Sequence, residues 1–501
     1  ESEAGTMRIW LGWILLAACG GPGGTAGPDS ALGDGDGGLA DGGLADGGLA
    51  DGGLADGGRA DVLPPIPCRV RLPSDAVEGE DVFCVDLITR EVPGDETSPE
   101  IRVHAVVFDR DLEGTPVVIL QGGPAYRGVA YVPTLTQEVR RLRFGERPVV
   151  YVEQRGVGAS EPSLSCRVGE TLDACAAQLR AMGVAPENFH VAHSADDIAG
   201  LVRGLGYDEV LLAGGSFGSR LGLEVLRRHS DLVRAAYLES LVPPNRDFLP
   251  VYVTANRDAL EGLYDLCASD VSCNDRYPDL RNAAAAVYAR AAADPIESDR
   301  YGAINVDLIA VTLVEALYHQ DFAAGIPRWI NALDEGETEV AEAFLDRVFS
   351  RPPQLSILAY QVVLCRDMAP LFDRAVFEDA LSSAEDLRGG FALLASLYES
   401  CDALGLTPSP PAAREPVVSD VPTLLVNPVL DSRTPLEGAM AVAAGLSEAR
   451  IVDIPTRVHT PGLGFQYVGD YLDECGASVL RGFLDDPDAP VDVSCATMTW
   501  E

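Results

Sequence analysis

Short runs of apolar residues recur along the chain at the length of a β-strand. They are near-continuous in Val, Leu and Ile rather than alternating with polar residues, which is typical of strands covered on both faces of a sheet. The pattern predicts seven strands, at 102–108, 116–121, 148–153, 209–213, 235–239, 423–427 and 450–454.

Helical periodicity separates several of these runs, for example at 195–205 and 222–229. Alternating strands and helices predict an α/β fold, in which a mostly parallel sheet carries helices on both faces. Between residues 245 and 416 the strand signal stops, and helices are predicted at 256–267, 280–293, 306–318, 339–349, 354–365 and 390–404. We therefore expect a core built from 64–244 and 417–501, with the helical segment 245–416 inserted as a cap over the sheet.

The first 63 residues have the pattern of a targeting segment followed by a tether. Met7 and Arg8 precede a short apolar stretch, and Leu-Ala-Ala-Cys at 16–19 is similar to the lipobox of bacterial lipoproteins. We expect 1–18 to be a signal peptide and Cys19 to be lipidated; the alternative is an ordinary secretory signal. Residues 19–63, with LADGG repeated four times, form a predicted flexible tether. The protein is thus expected in the bacterial cell envelope, on the periplasmic or surface side, with partial secretion as the alternative.

Ten cysteines follow Cys19, and an even number beyond an export signal favours disulfides over metal ligation. Pairing between sequence neighbours is the simplest arrangement, although the sequence alone does not establish it: 68 with 84, 166 with 175, 267 with 273, 365 with 401, and 475 with 495.

Charge excludes some classes of function. The formal net charge is −40, so a phosphate backbone would be repelled and nucleic acid is not an expected partner. The chain contains no lysine, which excludes Ser-Lys and Schiff-base mechanisms. We expect a monomer that needs neither a metal ion nor an organic cofactor.

One serine has the context of a nucleophile. In LLAGGSFGSRLG at 211–222, Ser216 lies between glycines where a buried strand passes into a helix. Such an elbow strains the serine backbone and leaves no room for neighbouring side chains. A glycine-rich connection without catalytic function is the alternative.

A serine nucleophile needs a base, usually an imidazole that an acid orients. His459 follows the last predicted strand and is the best candidate, whereas the five other histidines fall within strands, helices or loops where a structural role is expected. Asp431 follows the preceding strand, while Asp453 lies inside its strand and is the weaker candidate for the acid. The order Ser216, Asp431, His459 is that of an α/β-hydrolase. For the oxyanion we expect the backbone N–H groups of Phe217 and Gly123.

Four segments carry a resemblance to a known family: QGGP at 121–124, EQRGVGAS at 153–160, the stretch from His193 to Pro244 around Ser216, and VPTLLVNPVLDSRTP at 421–435. Together they resemble the prolyl and tripeptidyl aminopeptidases of the α/β-hydrolase fold over residues 67–496. The resemblance implies an exported serine exopeptidase whose C-terminal segment carries the acid and the histidine. The chain departs from the family pattern at Gln121, Ala125, Glu153 and Val458.

The expected function is hydrolysis of N-terminal residues or short peptides through an acyl-enzyme. An aminopeptidase needs a carboxylate for the substrate ammonium, and Glu239 at the end of a strand is one candidate, with acids of the cap or a structural role for Glu239 as alternatives. A carboxylesterase or lipase with the same three residues, acting on an ester, is the second hypothesis. A non-catalytic surface lipoprotein that uses the fold for binding is the third.

Overall fold

The computed structural model describes residues 63–501 except 168, 351–354, 392–393, 395–397, 399–400 and 465–471. The expected signal peptide, Cys19 and almost all of the tether lie outside the described residues.

An eight-stranded sheet forms the centre of the protein, with the strand order β1-β2-β4-β3-β5-β6-β9-β10. The first two pairings, β1 with β2 and β2 with β4, are antiparallel, and all later neighbours in the sheet are parallel. The mostly parallel sheet is therefore as predicted. Its strands are β1 Val82–Arg90, β2 Glu100–Phe108, β3 Val117–Leu120, β4 Val149–Val152, β5 Val210–Gly215, β6 Val233–Glu239, β9 Thr423–Pro428 and β10 Ala449–Ile454.

Apolar residues face both sides of the central strands, which explains their continuous hydrophobic runs. In β3, Val118 and Leu120 belong to the larger core cluster on one face of the sheet, while Val117 and Ile119 belong to the cluster on the other face. The larger cluster extends without interruption from the sheet into the helices between β6 and β9. The cap is thus packed on the core through a shared hydrophobic interior.

Helices cover the sheet on both faces and build the cap. Those of the core are α1 Gln137–Phe144, α2 Leu172–Ala181, α3 Val191–Gly204, α4 Phe217–His229, α15 Leu436–Ala443 and α16 Glu474–Asp485. Those between β6 and β9 are α5 Phe248–Ser269, α6 Val271–Arg276, α7 Leu280–Ala293, α8 Val306–Ala316, α9 Gln320–Ala323, α10 Ile326–Glu335, α11 Thr338–Phe349, α12 Ile357–Val363, α13 Arg374–Ser383 and α14 Cys401–Leu404. A π-helical turn, Leu364–Met368, follows α12.

Two features of the structure differ from the sequence-based expectation. Strand β1 was not predicted, because it lies at the edge of the sheet and its half-exposed side chains interrupt the apolar run. The segment expected to be purely helical also contains a short antiparallel hairpin, β7 Ile296–Ser298 with β8 Gly302–Ile304. Its strands have three residues each, too few to produce a recognisable period.

The ten cysteines of the described part form the five disulfides that sequence proximity favoured. In the cap, Cys267–Cys273 ties α5 to α6, and Cys365–Cys401 ties the π-helical turn to α14. Within the described ranges, no helix has the length and apolar character to cross a membrane, and no cluster of His, Cys, Asp and Glu suited to a metal ion is found.

Candidate active site

Ser216 occupies a strained turn between β5 and α4. Its φ of 55° and ψ of −128° are unusual for a residue with a side chain. The turn is tight because a Cβ on Gly214 would lie 2.5 Å from the carbonyl oxygen of Gly218, and one on Gly218 would overlap the carbonyl oxygen of Leu120. These contacts explain why glycines flank the serine at both positions.

Asp431 and His459 form a buried pair at the carboxyl ends of β9 and β10. The Nδ1 atom of His459 lies 2.9 and 3.0 Å from the two carboxylate oxygens of Asp431, so it donates to the carboxylate and Nε2 is left as the basic nitrogen. Asp431 also accepts hydrogen bonds from the Arg433 and Thr434 backbone N–H groups and from the Thr434 hydroxyl. Burial would raise the pKa of Asp431, but the imidazole and these donors outweigh it and hold the pKa below its usual value.

The loop after His459 packs against the turn that carries Ser216. A Cβ on Gly215 would lie 2.9 Å from the Cγ2 atom of Thr460, so the residue after the histidine contacts the residue before the serine. Strands β5, β6 and β9 are neighbours and parallel, which brings their carboxyl ends to one edge of the sheet. The structure thus brings Ser216, Asp431 and His459 to the same edge.

The loop after β3 borders the serine from the other side. A Cβ on Gly122 would lie 3.2 Å from Ser216 Cβ and 3.7 Å from the Phe217 nitrogen, which begins the 13-residue helix α4. The first N–H groups of a helix have no acceptor within it and carry its positive end, so Phe217 N is suited to an oxyanion. Gly123 follows with a φ of 118°, and its Cβ would meet the Tyr126 nitrogen at 2.7 Å. Gly122 therefore borders the serine, and the turn at Gly123 is too tight for a side chain.

Glu153, one of the departures from the family pattern, lies buried beneath this loop. Its carboxylate accepts a hydrogen bond from the Val129 backbone N–H, and burial raises its pKa to about 7. Gly158 makes room for it, since a Cβ there would overlap the carboxylate. Glu153 therefore supports the loop that carries Gly122 and Gly123.

Glu239, the sequence-based candidate for the substrate ammonium, has a different position from the one expected. It is fully buried behind the serine turn, where its carboxylate accepts hydrogen bonds from the Tyr237 hydroxyl at 2.8 Å and from the Gly462 and Leu463 N–H groups, both at 2.9 Å. A carboxylate with these internal partners and no exposure does not face a substrate. The structure therefore corrects this expectation.

A second carboxylate, which the sequence did not reveal, belongs to the cap and lies close to a core arginine. Glu315 in α8 keeps 35% of its side chain exposed although protein surrounds it, and burial raises its pKa to about 7. Its carboxylate lies 3.6 Å from the guanidinium of Arg433, whose pKa burial lowers to about 9.

Aromatic rings connect this charge pair with the imidazole. The Arg433 guanidinium carbon lies 4.3 Å from the ring centre of Tyr252 and 4.6 Å from that of Tyr318. The Tyr318 ring lies 5.0 Å from the ring of His459. The sequence could have indicated Arg433 as a site residue, because it lies two residues after Asp431. It could not have indicated Glu315, which lies on an ordinary amphipathic helix with no motif around it.

Family models match two parts of the chain. A model described as "alpha/beta hydrolase fold" matches residues 115–277, and one described as "TAP-like protein" matches residues 391–495. The first contains Ser216 and the second contains Asp431 and His459, so together with the arrangement of these residues they support a hydrolase. No curated protein matches the sequence.

Solved structures with a similar fold include a thermophilic esterase from Thermogutta terrifontis, with 16% identity and a TM-score of 0.37 over 81% of this chain and 99% of that one. An alpha/beta hydrolase fold protein from Chitinophaga pinensis shares 14% identity, with a TM-score of 0.37 over 80% and 97% of the two chains. A mutant of the haloalkane dehalogenase DatA from Agrobacterium tumefaciens also shares 14%, with a TM-score of 0.36 over 81% and 98%. Likeness at this level does not extend to substrate. The chain has the α/β-hydrolase fold and carries a TAP-like segment in its C-terminal part.

Proposed function

We propose that the protein is a serine hydrolase that removes N-terminal residues or short peptides from peptide substrates through an acyl-enzyme on Ser216. The observation that carries the proposal is the buried Asp431–His459 pair, with Nδ1 bonded to the carboxylate at 2.9 Å, at the same sheet edge as a serine in a strained elbow. A base oriented by an acid beside a strained serine is the arrangement that nucleophilic catalysis on an acyl group requires.

Ser216, His459 and Asp431 have separate roles in this reaction. His459 Nε2 accepts the Ser216 hydroxyl proton as Oγ attacks the substrate carbonyl carbon, and the resulting oxyanion lies against the Phe217 and Gly123 N–H groups. The C–N bond then breaks, the imidazolium gives its proton to the leaving amine, and the acyl group remains on Oγ. Water, deprotonated by the same imidazole, then attacks the ester carbonyl carbon. The bond between that carbon and Oγ breaks, the imidazolium returns its proton to Oγ, and the acyl group leaves as a carboxylic acid. Asp431 stays ionised and stabilises the imidazolium in both halves.

Glu315 supports a peptide with a free amino terminus over an ester. A partly exposed carboxylate, linked to His459 through Arg433 and Tyr318, is suited to bind an ammonium group near the scissile bond. Because its pKa is raised to about 7, the carboxylate becomes fully charged only above neutral pH. Preference for free amines should therefore increase as the pH rises through 7.

The proposed setting is the cell envelope, with the chain anchored in a membrane by a lipid on Cys19. The five disulfides are compatible with an exported protein. Metabolic labelling with a fatty acid, compared between the full chain and a Cys19→Ala variant, tests the anchor. Equal labelling of the two would refute it.

A fluorophosphonate probe tests the chemistry directly. It should label Ser216, and Ser216→Ala should neither react nor turn over substrate. An unlabelled native protein would refute the hydrolase and favour a binding protein.

Substrate class is tested with prolyl and tripeptidyl p-nitroanilides carrying either a free or an acetylated amino terminus, beside p-nitrophenyl esters of short acids. Loss of an ion-paired hydrogen bond in Glu315→Gln should raise KM for free-amine substrates about 10- to 100-fold and leave acetylated ones unchanged. Asp307→Asn, at an exposed position of the same helix, is the matched control. Equal cleavage of free and acetylated peptides contradicts the exopeptidase, and activity on esters alone favours the esterase.

A further inference from the structure

The chain directly after the histidine is fastened to two residues at the end of β6. The histidine loop, residues 460–463, donates three backbone hydrogen bonds there: Thr460 N to the Ser240 hydroxyl, and Gly462 N and Leu463 N to separate carboxylate oxygens of Glu239, each at 2.9 Å. These bonds fix the loop over four consecutive residues.

Glu239 also contacts the nucleophile turn. The Ser216 N–H donates to the Glu239 carbonyl oxygen at 3.0 Å, and a Cβ on Gly215 would lie 3.2 Å from the Glu239 carboxylate. On the loop side, a Cβ on Gly462 would lie 2.9 Å from that carboxylate. Glycines on both sides therefore let the backbones of the serine turn and the histidine loop approach one buried side chain.

We propose that Glu239 is a positioning residue, whose carboxylate sets the place of His459 relative to Ser216 by holding the histidine loop against the nucleophile turn. This role rests on the proposed serine-hydrolase function. The Glu239 carboxylate touches neither substrate nor reacting atoms and acts through the histidine loop, whereas the backbone bond to Ser216 does not depend on it.

A carboxylate suits this position because three donors converge on it. The Tyr237 hydroxyl and the Gly462 N–H share one oxygen, and the Leu463 N–H uses the other. Both oxygens of a carboxylate accept, whereas a glutamine would turn an NH₂ group toward at least one of these donors and leave a buried N–H without an acceptor. The isosteric change to glutamine should therefore loosen the histidine loop while the backbone of β6 stays in place.

The ionisation of Glu239 depends on several neighbours. Burial raises its pKa to about 7, against the opposing effects of the Leu463 N–H, the Tyr237 hydroxyl, the Gly462 N–H and the positive charge of Arg143. Asp473, which acts on Tyr237 and forms an ion pair with Arg457, and the Asp431–His459 pair are further charged or titratable groups on this side. The fully accepting form is therefore complete only above pH 7, and positioning should improve as the pH rises through that value.

The test is the second-order rate of fluorophosphonate labelling, with kcat, KM and the melting temperature, in Glu239→Gln. We expect the labelling rate and kcat per folded molecule to fall about 10- to 100-fold, the effect of misplacing a catalytic group by about 1 Å, with KM within threefold of the native value. The control is Glu91→Gln, which removes another buried carboxylate that accepts backbone and amide N–H groups, from Ala185 and Asn188 at the far edge of the sheet. It should lower the melting temperature and leave the labelling rate unchanged.

The pH profile separates positioning from general destabilisation. On the acid side, the native labelling rate should fall more steeply than one proton allows, since both the imidazole and Glu239 must be deprotonated, and Glu239→Gln should restore a single-proton slope. If Glu239→Gln does not fold, Ser240→Ala removes the acceptor of Thr460 N in the same loop and should slow labelling about tenfold. A folded Glu239→Gln with a native labelling rate and slope overturns the proposal; if that variant does not fold, Ser240→Ala with a native labelling rate overturns it. A native protein that the probe does not label refutes the serine hydrolase and the positioning role together.

Discussion

Replacing Gly122 with alanine places a methyl group beside the expected oxyanion site. The added Cβ would lie 3.2 Å from Ser216 Cβ, 3.1 Å from the Gly215 carbonyl oxygen and 3.7 Å from Phe217 N. The φ of Gly122 lies outside the positive region, so its backbone accepts a side chain. The two short contacts require shifts of a few tenths of an ångström, and overpacking of this kind costs about 1–2 kcal/mol of folding free energy.

The effect of Gly122→Ala on catalysis should be larger than its effect on stability. The methyl group fills the space through which the tetrahedral oxygen reaches Phe217 N, and loss of one such donor lowers kcat about 10²- to 10³-fold, or about 3–4 kcal/mol. The assay compares kcat with the melting temperature of each variant. Gly482→Ala is the control, because its Cβ meets nothing within 4 Å in the middle of α16 and alanine should stabilise that helix without affecting kcat. A folded Gly122→Ala with kcat within threefold of native would show that the oxyanion does not lie against Phe217 N.

Three further predictions concern the charged groups of the site. Asp431→Asn should keep the fold but lower kcat about 10⁴-fold, because the amide no longer fixes the imidazole tautomer, and steady-state kinetics on folded, unlabelled protein checks the residual rate. Thr434→Val removes the hydroxyl that donates to Asp431 at 2.8 Å and should lower kcat about tenfold, since hydrogen bonds to charged groups contribute about 1.5–3 kcal/mol; an unchanged kcat would argue against this support. The pKa values of Glu153 and Glu239 are both raised from 4.5 to about 7, so each folded-state carboxyl binds its proton more tightly than in the unfolded chain. Stability to urea should therefore decrease from pH 5 to 7, by up to about 3 kcal/mol for each group, and the decrease should be smaller in Glu239→Gln.

The sheet and the arrangement of its edge were predictable because they depend on local patterns. Parallel strands buried on both faces must be apolar throughout, and Ser216 and Asp431 each follow such a strand. His459 follows edge strand β10, which is parallel to β9 but mostly part-exposed. Adjacent parallel strands end at one edge, so three separate segments could be assigned to one place. Edge strand β1 lacked this signal because it has a neighbouring strand on one side only, and its buried residues are interspersed with partly exposed ones.

The roles of the two glutamates were not predictable, because each depends on a contact between distant segments. From the sequence, Glu239 at the end of β6 is a candidate to bind the substrate. Only the structure shows that its carboxylate oxygens already accept hydrogen bonds from Gly462 and Leu463, more than 220 positions away. Glu315 gains its significance from Arg433, which is contributed by the C-terminal part of the core. The cap packs over the site through tertiary contacts that no local period encodes.

The carboxylates of Glu153, Glu239 and Glu315 differ in their exposure to solvent, and this exposure decides what each can do. Glu153 and Glu239 are enclosed and bound to backbone N–H groups, so they can only support the loops that carry Gly122 and His459. Glu315 keeps contact with solvent, so it can exchange water for a substrate cation. All three are costly to ionise because burial raises their pKa values to about 7. The cost persists at the two enclosed positions because a charged acceptor holds backbone N–H groups more firmly than a neutral one, and the geometry of Ser216 and His459 depends on those loops staying in place.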